Sequence, residues 1–126
     1  MPDDLRPLLL WAARLALAGA LFITFWMAFS PPGHGPPLLP WDKAEHFLAF
    51  FVLAGLAIVA LPGVSPAWLA LALSATGALI ELIQGLPFVH RDCDVWDWVA
   101  DTIAVLSVMA VVTGVELRRW LSPRRF

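Results

Sequence analysis

Cysteine occurs once in this chain, at Cys93, and tyrosine does not occur at all. A lone cysteine closes no intrachain disulfide, and no CxxC or mixed Cys/His zinc spacing exists. Charge is scarce too, at 14% of the 126 residues. The basic side chains form no stripe of the kind that tracks a phosphate backbone, which excludes a nucleic-acid partner. Repeats are missing, and so is low complexity beyond one Pro/Gly-rich loop. What fills the chain instead is apolar: 60% of residues are hydrophobic and the mean hydropathy is +0.79. A soluble domain carries about half apolar and a quarter charged residues, so the solvent of most of this surface is lipid.

Four apolar runs are long enough, at about 1.5 Å per residue, to approach the roughly 30 Å hydrocarbon core of a bilayer. They predict spans over about 8–29, 42–61, 66–84 and 94–117, and leave no length for a second domain, so residues 1–126 read as one membrane domain. Arg6 precedes the first span and Arg14 lies one turn inside it, where its side chain can snorkel back to the head groups. A cleaved signal peptide competes for this segment, but the apolar stretch exceeds the usual h-region and Pro31 follows the small residues Ala28 and Ser30. Ser30 to Pro40 (SPPGHGPPLLP) cannot continue a helix. Pro62 and Gly63 turn the chain after the second span. Ser65 is a predicted N-cap with Pro66 in the first turn, Gly85 and Pro87 end the third helix, and Asp94 caps the fourth.

The charges orient this all-α, four-helix bundle. Six arginines (Arg6, Arg14, Arg118, Arg119, Arg124, Arg125) flank the outer ends of the first and last spans with only Asp3, Asp4 and Glu116, a net of +3. The other end carries Lys43 and Arg91 against Asp42, Glu45, Glu81, Asp92, Asp94, Asp97 and Asp101, a net of −5. The positive-inside rule therefore puts both termini in the cytoplasm. Tryptophan agrees in kind, since indoles prefer the interface: Trp11, Trp68 and Trp120 fall at one boundary, and Trp26, Trp41, Trp96 and Trp98 at the other.

The acidic end holds the chemistry. Asp42, Lys43, Glu45 and His46 open the second helix, with Asp42 and His46 one turn apart on one face. Glu81 and Gln84 stand near the end of the third, in a small-to-polar stripe with Ser74 and Gly77. Asp94, Asp97 and Asp101 recur at i, i+3 and i+7 on the fourth. Helical rise puts His46 about 6 Å below Asp42 and Asp101 about 10 Å below Asp94. A charge at such depth costs roughly 2.5–3.5 kcal/mol, so these groups are expected to face one another, with Lys43, Arg91 and His46 as counter-charges. First-turn acids complement the helix macrodipole, which accounts for Asp42, Glu45 and Asp94, and can extend to Asp97, without any function. It does not account for Glu81, near a helix C-terminus, or for Asp101, too deep. His34 and His90 read as solvated loop residues, Cys93 as a spacer, and Phe47, Phe50 and Phe51 as packing or lipid-facing surface.

DKAEHF at 42–47, ELIQ at 81–84 and RDCDVWDWVAD at 91–101 together resemble the VanZ-like membrane proteins. That family's pattern is D-K-x-x-H-F, then E-x-x-Q, then an Arg followed by acidic residues and a D-x-x-A-N-x-x-G helix start. The resemblance covers about residues 41–108 and maps onto Asp42, Lys43, His46, Phe47, Glu81, Gln84, Arg91, Asp94, Asp97 and Ala100. Two positions depart from it: Asp101 stands where the family more often has Asn, adding a charge, and Ala104 where it tends to have Gly, which loosens the expectation of close helix packing there. What the resemblance implies is a bacterial cell-envelope protein of the cytoplasmic membrane; the founding member is associated with low-level resistance to the glycopeptide teicoplanin.

Three functions remain open on these residues. The first is binding of a polar or lipid-linked head group, such as a cell-wall intermediate, from the external leaflet by Asp42, Lys43, His46, Glu81, Gln84, Arg91, Asp94, Asp97 and Asp101. Another is a metal-dependent enzyme, its divalent cation held by the D-x-x-D carboxylates with Glu81 and His46, acting on a phosphate-containing lipid. The third is transport of protons or small ions through His46, Glu81 and Asp101, which the apolar stretches Leu53–Leu61, Ala67–Leu73 and Ile103–Val115 do not favour. Ligand identity, metal dependence and oligomeric state are not written in the sequence.

Overall fold

The computed structural model describes residues 5–31, 39 and 41–122. Asp3, Asp4, His34, Arg124, Arg125 and most of the Pro/Gly loop lie outside the described residues. Four helices follow in order: α1 (Leu5–Phe29), α2 (Asp42–Ala60), α3 (Pro66–Gln84) and α4 (Val95–Leu121). All four are long and apolar enough to cross a membrane, so the described residues form an all-α, multi-pass type of bundle. The bounds of α3 fall where the sequence puts them. Those of α1 start three residues early, because Pro7 in a first turn lacks an N–H that would be unbonded anyway. The fourth helix continues past Leu117 to Leu121, where Arg118 and Arg119 complement the negative end of its macrodipole.

Local chemistry sets the ends. Ser65 accepts the Trp68 N–H at 3.4 Å and Pro66 occupies the first turn, so α3 begins as predicted. Leu61 donates to the Ala57 carbonyl and accepts from Val64 N–H, a tight turn through Pro62 and Gly63. At the other end of α3, Gly85 stays right-handed (φ −71°). The reversal into α4 instead uses His90, whose φ of 56° is left-handed, a conformation in which His is tolerated better than branched residues. Asp94 then caps α4 by accepting the Trp96 N–H at 2.9 Å.

Helices α2, α3 and α4 form the core and α1 lies against α2 and, less extensively, α3; among the described residues α1 does not approach α4. The core is built largely of small side chains: Ala54, Ala57, Ala60 and Ala104 are buried along with Phe50, Leu53, Ile80 and Val105. That composition suits lipid, where apolar burial gives no drive and close backbone approach supplies the packing. Ala104 is fully buried, so the loss of the expected Gly there does not open the interface. The closest approach is at Gly77, where a Cβ would stand 2.9 Å from Asp101 Oδ2. Outward-facing positions are predominantly apolar, including Leu15, Phe22, Val59, Leu82 and Val111, while the buried set includes Glu81, Gln84, Asp97 and Asp101. Apolar outside and ionisable inside is the arrangement expected of a bundle solvated by hydrocarbon.

Two sequence expectations need correction. Arg14 is not a free snorkelling side chain: its Nε donates to the Ala60 carbonyl at 3.2 Å and its guanidinium lies over the Trp11 ring, 5.1 Å from the centroid. A cation at the C-terminus of α2 satisfies an orphan carbonyl and meets the negative end of the helix. Trp98, assigned to the interface, turns inward instead and donates its indole N–H to the Ser74 carbonyl at 3.0 Å. The Phe group divides, with Phe50 buried and Phe47 and Phe51 stacked on the outer face.

Candidate functional site

The up-and-down order of the helices brings the start of α2, the end of α3 and the start of α4 to one end of the bundle, together with the end of α1. Side chains on α2 and α4 meet there as a ladder. Lys43 Nζ lies 2.7 Å from Asp94 Oδ2 and 2.9 Å from Asp97 Oδ1. One turn deeper, His46 Nε2 lies 3.5 Å from Asp97 Oδ2 and Nδ1 lies 3.1 Å from Asp101 Oδ1. Asp97 is thus shared between a lysine and a histidine. Helical spacing produces this register: 43 and 46 on one helix, 94, 97 and 101 on the other, occupy facing stripes.

The third helix closes the inner side. Glu81 accepts the Asp94 backbone N–H through Oε2 at 3.0 Å, which ties the end of α3 to the N-cap of α4. Gly77, one turn before Glu81, leaves room for the Asp101 carboxyl. Ser74 and Thr102 share a hydrogen bond of 2.9 Å beside Trp98. Within this cluster Glu81 Oε1 and Asp101 Oδ2 are buried and have no hydrogen-bond partner. Such groups are rare because an unmade bond in low dielectric costs about 1–3 kcal/mol. Asp94, at the N-cap outside the span, differs: the Lys43 ammonium, then the Trp96 N–H, hold its carboxyl below the usual carboxylate range.

Arg91 is not the counter-charge the sequence offered. Its Nε and Nη2 donate to the Ser30 carbonyl at 3.0 and 2.8 Å, and Nη2 also donates to the Met27 carbonyl at 3.1 Å. The guanidinium therefore caps α1, as Arg14 caps α2. Gln84 makes a parallel connection by donating to the Ala28 carbonyl at 2.8 Å. With Arg91 spent on backbone, Lys43 and His46 are the cations that touch the carboxylates among the described residues. Asp94 and Asp97, expected as a D-x-x-D cation pair, are engaged by Lys43 instead; the sets spaced for a metal are His46, Glu81 and Asp101, and Asp42, His46 and Asp97.

Beside the ladder, a groove of about 390 Å³ opens between α1 and α2. Ala20, Ile23, Thr24, Ala49 and Val52 wall it, while Asp42, Glu45, His46, Gln84 and Arg91 stand at its polar end. Asp42 is exposed there, and Glu45 accepts the Leu39 N–H at 2.9 Å.

All nine side chains named from sequence thus lie at this end. Each of them joins the ladder, the α3 closure or the groove mouth, and Gln84 and Arg91 also hold α1. Sequence reasoning missed Gly77 as the close approach to Asp101 and Thr102 as the partner of Ser74. The small-polar periodicity of 74, 77, 81 and 84 was the available signal for the first; for the second, Thr102 beside Asp101 gave none. His90 is exposed, as expected of a loop residue, and so is Cys93. Compared with protein-family models, with curated proteins and with solved structures, the chain matches none of them.

Proposed function

We propose that this chain is a VanZ-like protein of the bacterial cytoplasmic membrane, with both termini cytoplasmic, that binds a polar or lipid-linked head group from the external leaflet. The observation that carries this reading is the amphipathic groove between α1 and α2, whose walls accept an acyl or isoprenoid chain while its end meets ionisable side chains. Apolar walls with ionisable groups at one end match a molecule with a tail and a charged head. The arginine-rich ends support the orientation. Glycopeptide susceptibility is the phenotype the family resemblance connects to such binding.

The test is native mass spectrometry of delipidated protein reloaded with an isoprenoid pyrophosphate or with a phospholipid of the host membrane. Ala49→Trp fills the groove, and Leu106→Trp, on the exposed face of α4, adds the same bulk elsewhere. Retention at least about tenfold lower in A49W than in L106W is expected. Equal retention in the two proteins would overturn the groove as the binding surface.

Chemistry on the bound lipid is the second reading, favoured by the buried acidic set beside the groove. Phosphate release from the same lipid, measured over hours with the wild-type protein, separates an enzyme from a binder. Transport draws no support, because the buried carboxylates all lie at one end of the bundle.

A further inference from the structure

We infer that His46, Glu81 and Asp101 form a binding site for one divalent transition-metal cation, of the Mn²⁺ or Zn²⁺ class. One ligand atom from each of the three lies within 4.8 Å of the other two. Spacing alone proves little, since acidic groups often gather without an ion. The independent observation is that two carboxylate oxygens in this set, Glu81 Oε1 and Asp101 Oδ2, are sealed from solvent without any donor. Their residues are only 4% and 0% exposed. Every other carboxylate oxygen of the ladder has a cation or N–H to face; these two have none. A cation held by the imidazole and one oxygen of each carboxylate gives both of these unpartnered carboxyl groups a counter-charge.

Charge argues the same way. Lys43 and His46 touch Asp94, Asp97 and Asp101, Glu81 beside them has only the Asp94 N–H, and the remaining nearby cation, Arg91, is turned onto the carbonyls of α1. An excess of negative charge inside a lipid-solvated bundle is costly, and a divalent ion offsets it where a further hydrogen bond does not. The donor set, one imidazole nitrogen and two carboxylates, suits Mn²⁺ or Zn²⁺ better than the all-oxygen shells of Ca²⁺ or Mg²⁺. Side-chain shifts of about 1 Å bring the atoms to bonding distances of roughly 2.0–2.2 Å.

The surroundings already supply an outer shell. With Nδ1 turned to the metal, Nε2–H of His46 faces Asp97 Oδ2 at 3.5 Å, and Asp97 is itself fixed by Lys43 at 2.9 Å. Carboxylate, imidazole and metal in line is the usual way a ligating histidine is oriented. A proton held between His46 Nδ1 and Asp101 Oδ1 would leave to solvent as the metal binds, so that uptake of the ion would release a proton. The alternative set, Asp42, His46 and Asp97, lacks bare buried oxygens, and its Asp97 is committed to Lys43.

This site stands on its own geometry and does not rest on the head-group reading; failure of one leaves the other intact. The experiment is Mn²⁺ titration of chelator-stripped protein in detergent, followed by electron paramagnetic resonance of free and bound ion. One Mn²⁺ per chain is expected, weakened at least about tenfold in Glu81→Gln and Asp101→Asn and unchanged in Asp42→Asn and in the distant Glu116→Gln. Because E81Q or D101N can misfold, the wild-type complex is also read by pulsed methods for coupling of the bound Mn²⁺ to an imidazole nitrogen. No saturable binding, binding lost in D42N but kept in E81Q, or bound Mn²⁺ without nitrogen coupling would each overturn the assignment.

Discussion

Helices α4 and α1 both pack on α2, but by different chemistry. Against α4, side chains of α2 reach across as an ionic ladder, with Asp97 and Asp101 buried and Ala57 and Ala104 in the core between the helices. Against α1 there is no buried residue on the partner helix, a groove opens, and the polar connections end on backbone carbonyls. Ionised side chains specify one register, because moving a helix by a turn strands a charge. Carbonyl acceptors at a helix end are less particular, since neighbouring carbonyls offer equivalent sites. The α2–α3–α4 unit is therefore the rigid part that holds the acidic set in place, and α1 is the wall whose position can adjust to what occupies the groove.

Glycine placement gives the sharpest way to break this contrast. A valine at Gly77 drives its Cβ to within 2.9 Å of Asp101 Oδ2 and 3.3 Å of Asp101 Cβ, against a side chain fixed by His46. No neighbouring atom lies within 4 Å of a Cβ at Gly19 on α1. Gly77→Val is expected to destabilise the bundle by about 1–3 kcal/mol, the usual effect of overpacking a filled interface. Gly19→Val stays within about 0.5 kcal/mol of wild type. Unfolding by sodium dodecyl sulfate in mixed micelles measures both. If the two variants unfold alike, the rigid unit is not where the structure puts it.

The next largest effect separates α1 from the rest. Arg91→Ala removes three hydrogen bonds to the Met27 and Ser30 carbonyls. Bonds to a charged donor contribute about 1.5–3 kcal/mol each at most, but water replaces some of them at this end, so a loss of about 1–2 kcal/mol is expected. Its location matters more than its size. Hydrogen exchange in R91A should rise over the last turn of α1 and remain at wild-type levels in α2 and α4. A uniform rise through all four helices would mean that α1 is not a separable wall.

These two substitutions also mark what the sequence could and could not disclose. Ser65 and Asp94 announce their caps, Pro66 and Gly85 the bounds of α3, and the 94, 97, 101 repeat the stripe that faces α2, because side-chain chemistry and helical period are both written in residue types. A guanidinium that bonds to carbonyls leaves no such mark: every residue has a carbonyl, so nothing in Ala60, Met27 or Ser30 announces the partners of Arg14 and Arg91. The groove was equally silent. Its walls are ordinary apolar residues of α1 and α2, and only their separation in space makes a cavity. Trp98 was misjudged for a related reason, since an indole near a helix start suits the interface and the interior equally well until Ser74 is seen opposite it.

The smallest expected effect concerns the exposed top of the ladder. Asp94 has a carboxyl pKa lowered from 3.8, first by the Lys43 ammonium and then by the Trp96 N–H. A depressed carboxylate pKa stabilises the folded state above the ordinary value and loses that contribution as pH falls through the lowered one. The contribution of Asp94 to stability should therefore stay constant from pH 5 to about pH 3.8 and be lost below it. Asp94→Asn keeps an N-cap of similar quality while removing the charge, so the difference between wild type and D94N isolates this group from Asp92 and Glu116. The decline attributable to Asp94 is expected to shrink in high salt, because a pair at the membrane surface is screened where the His46–Asp101 pair beneath it is not. A wild-type minus D94N difference that does not change between pH 5 and pH 2 would mean that Lys43 serves Asp97 alone, and that the ionic ladder begins one turn deeper than its geometry indicates.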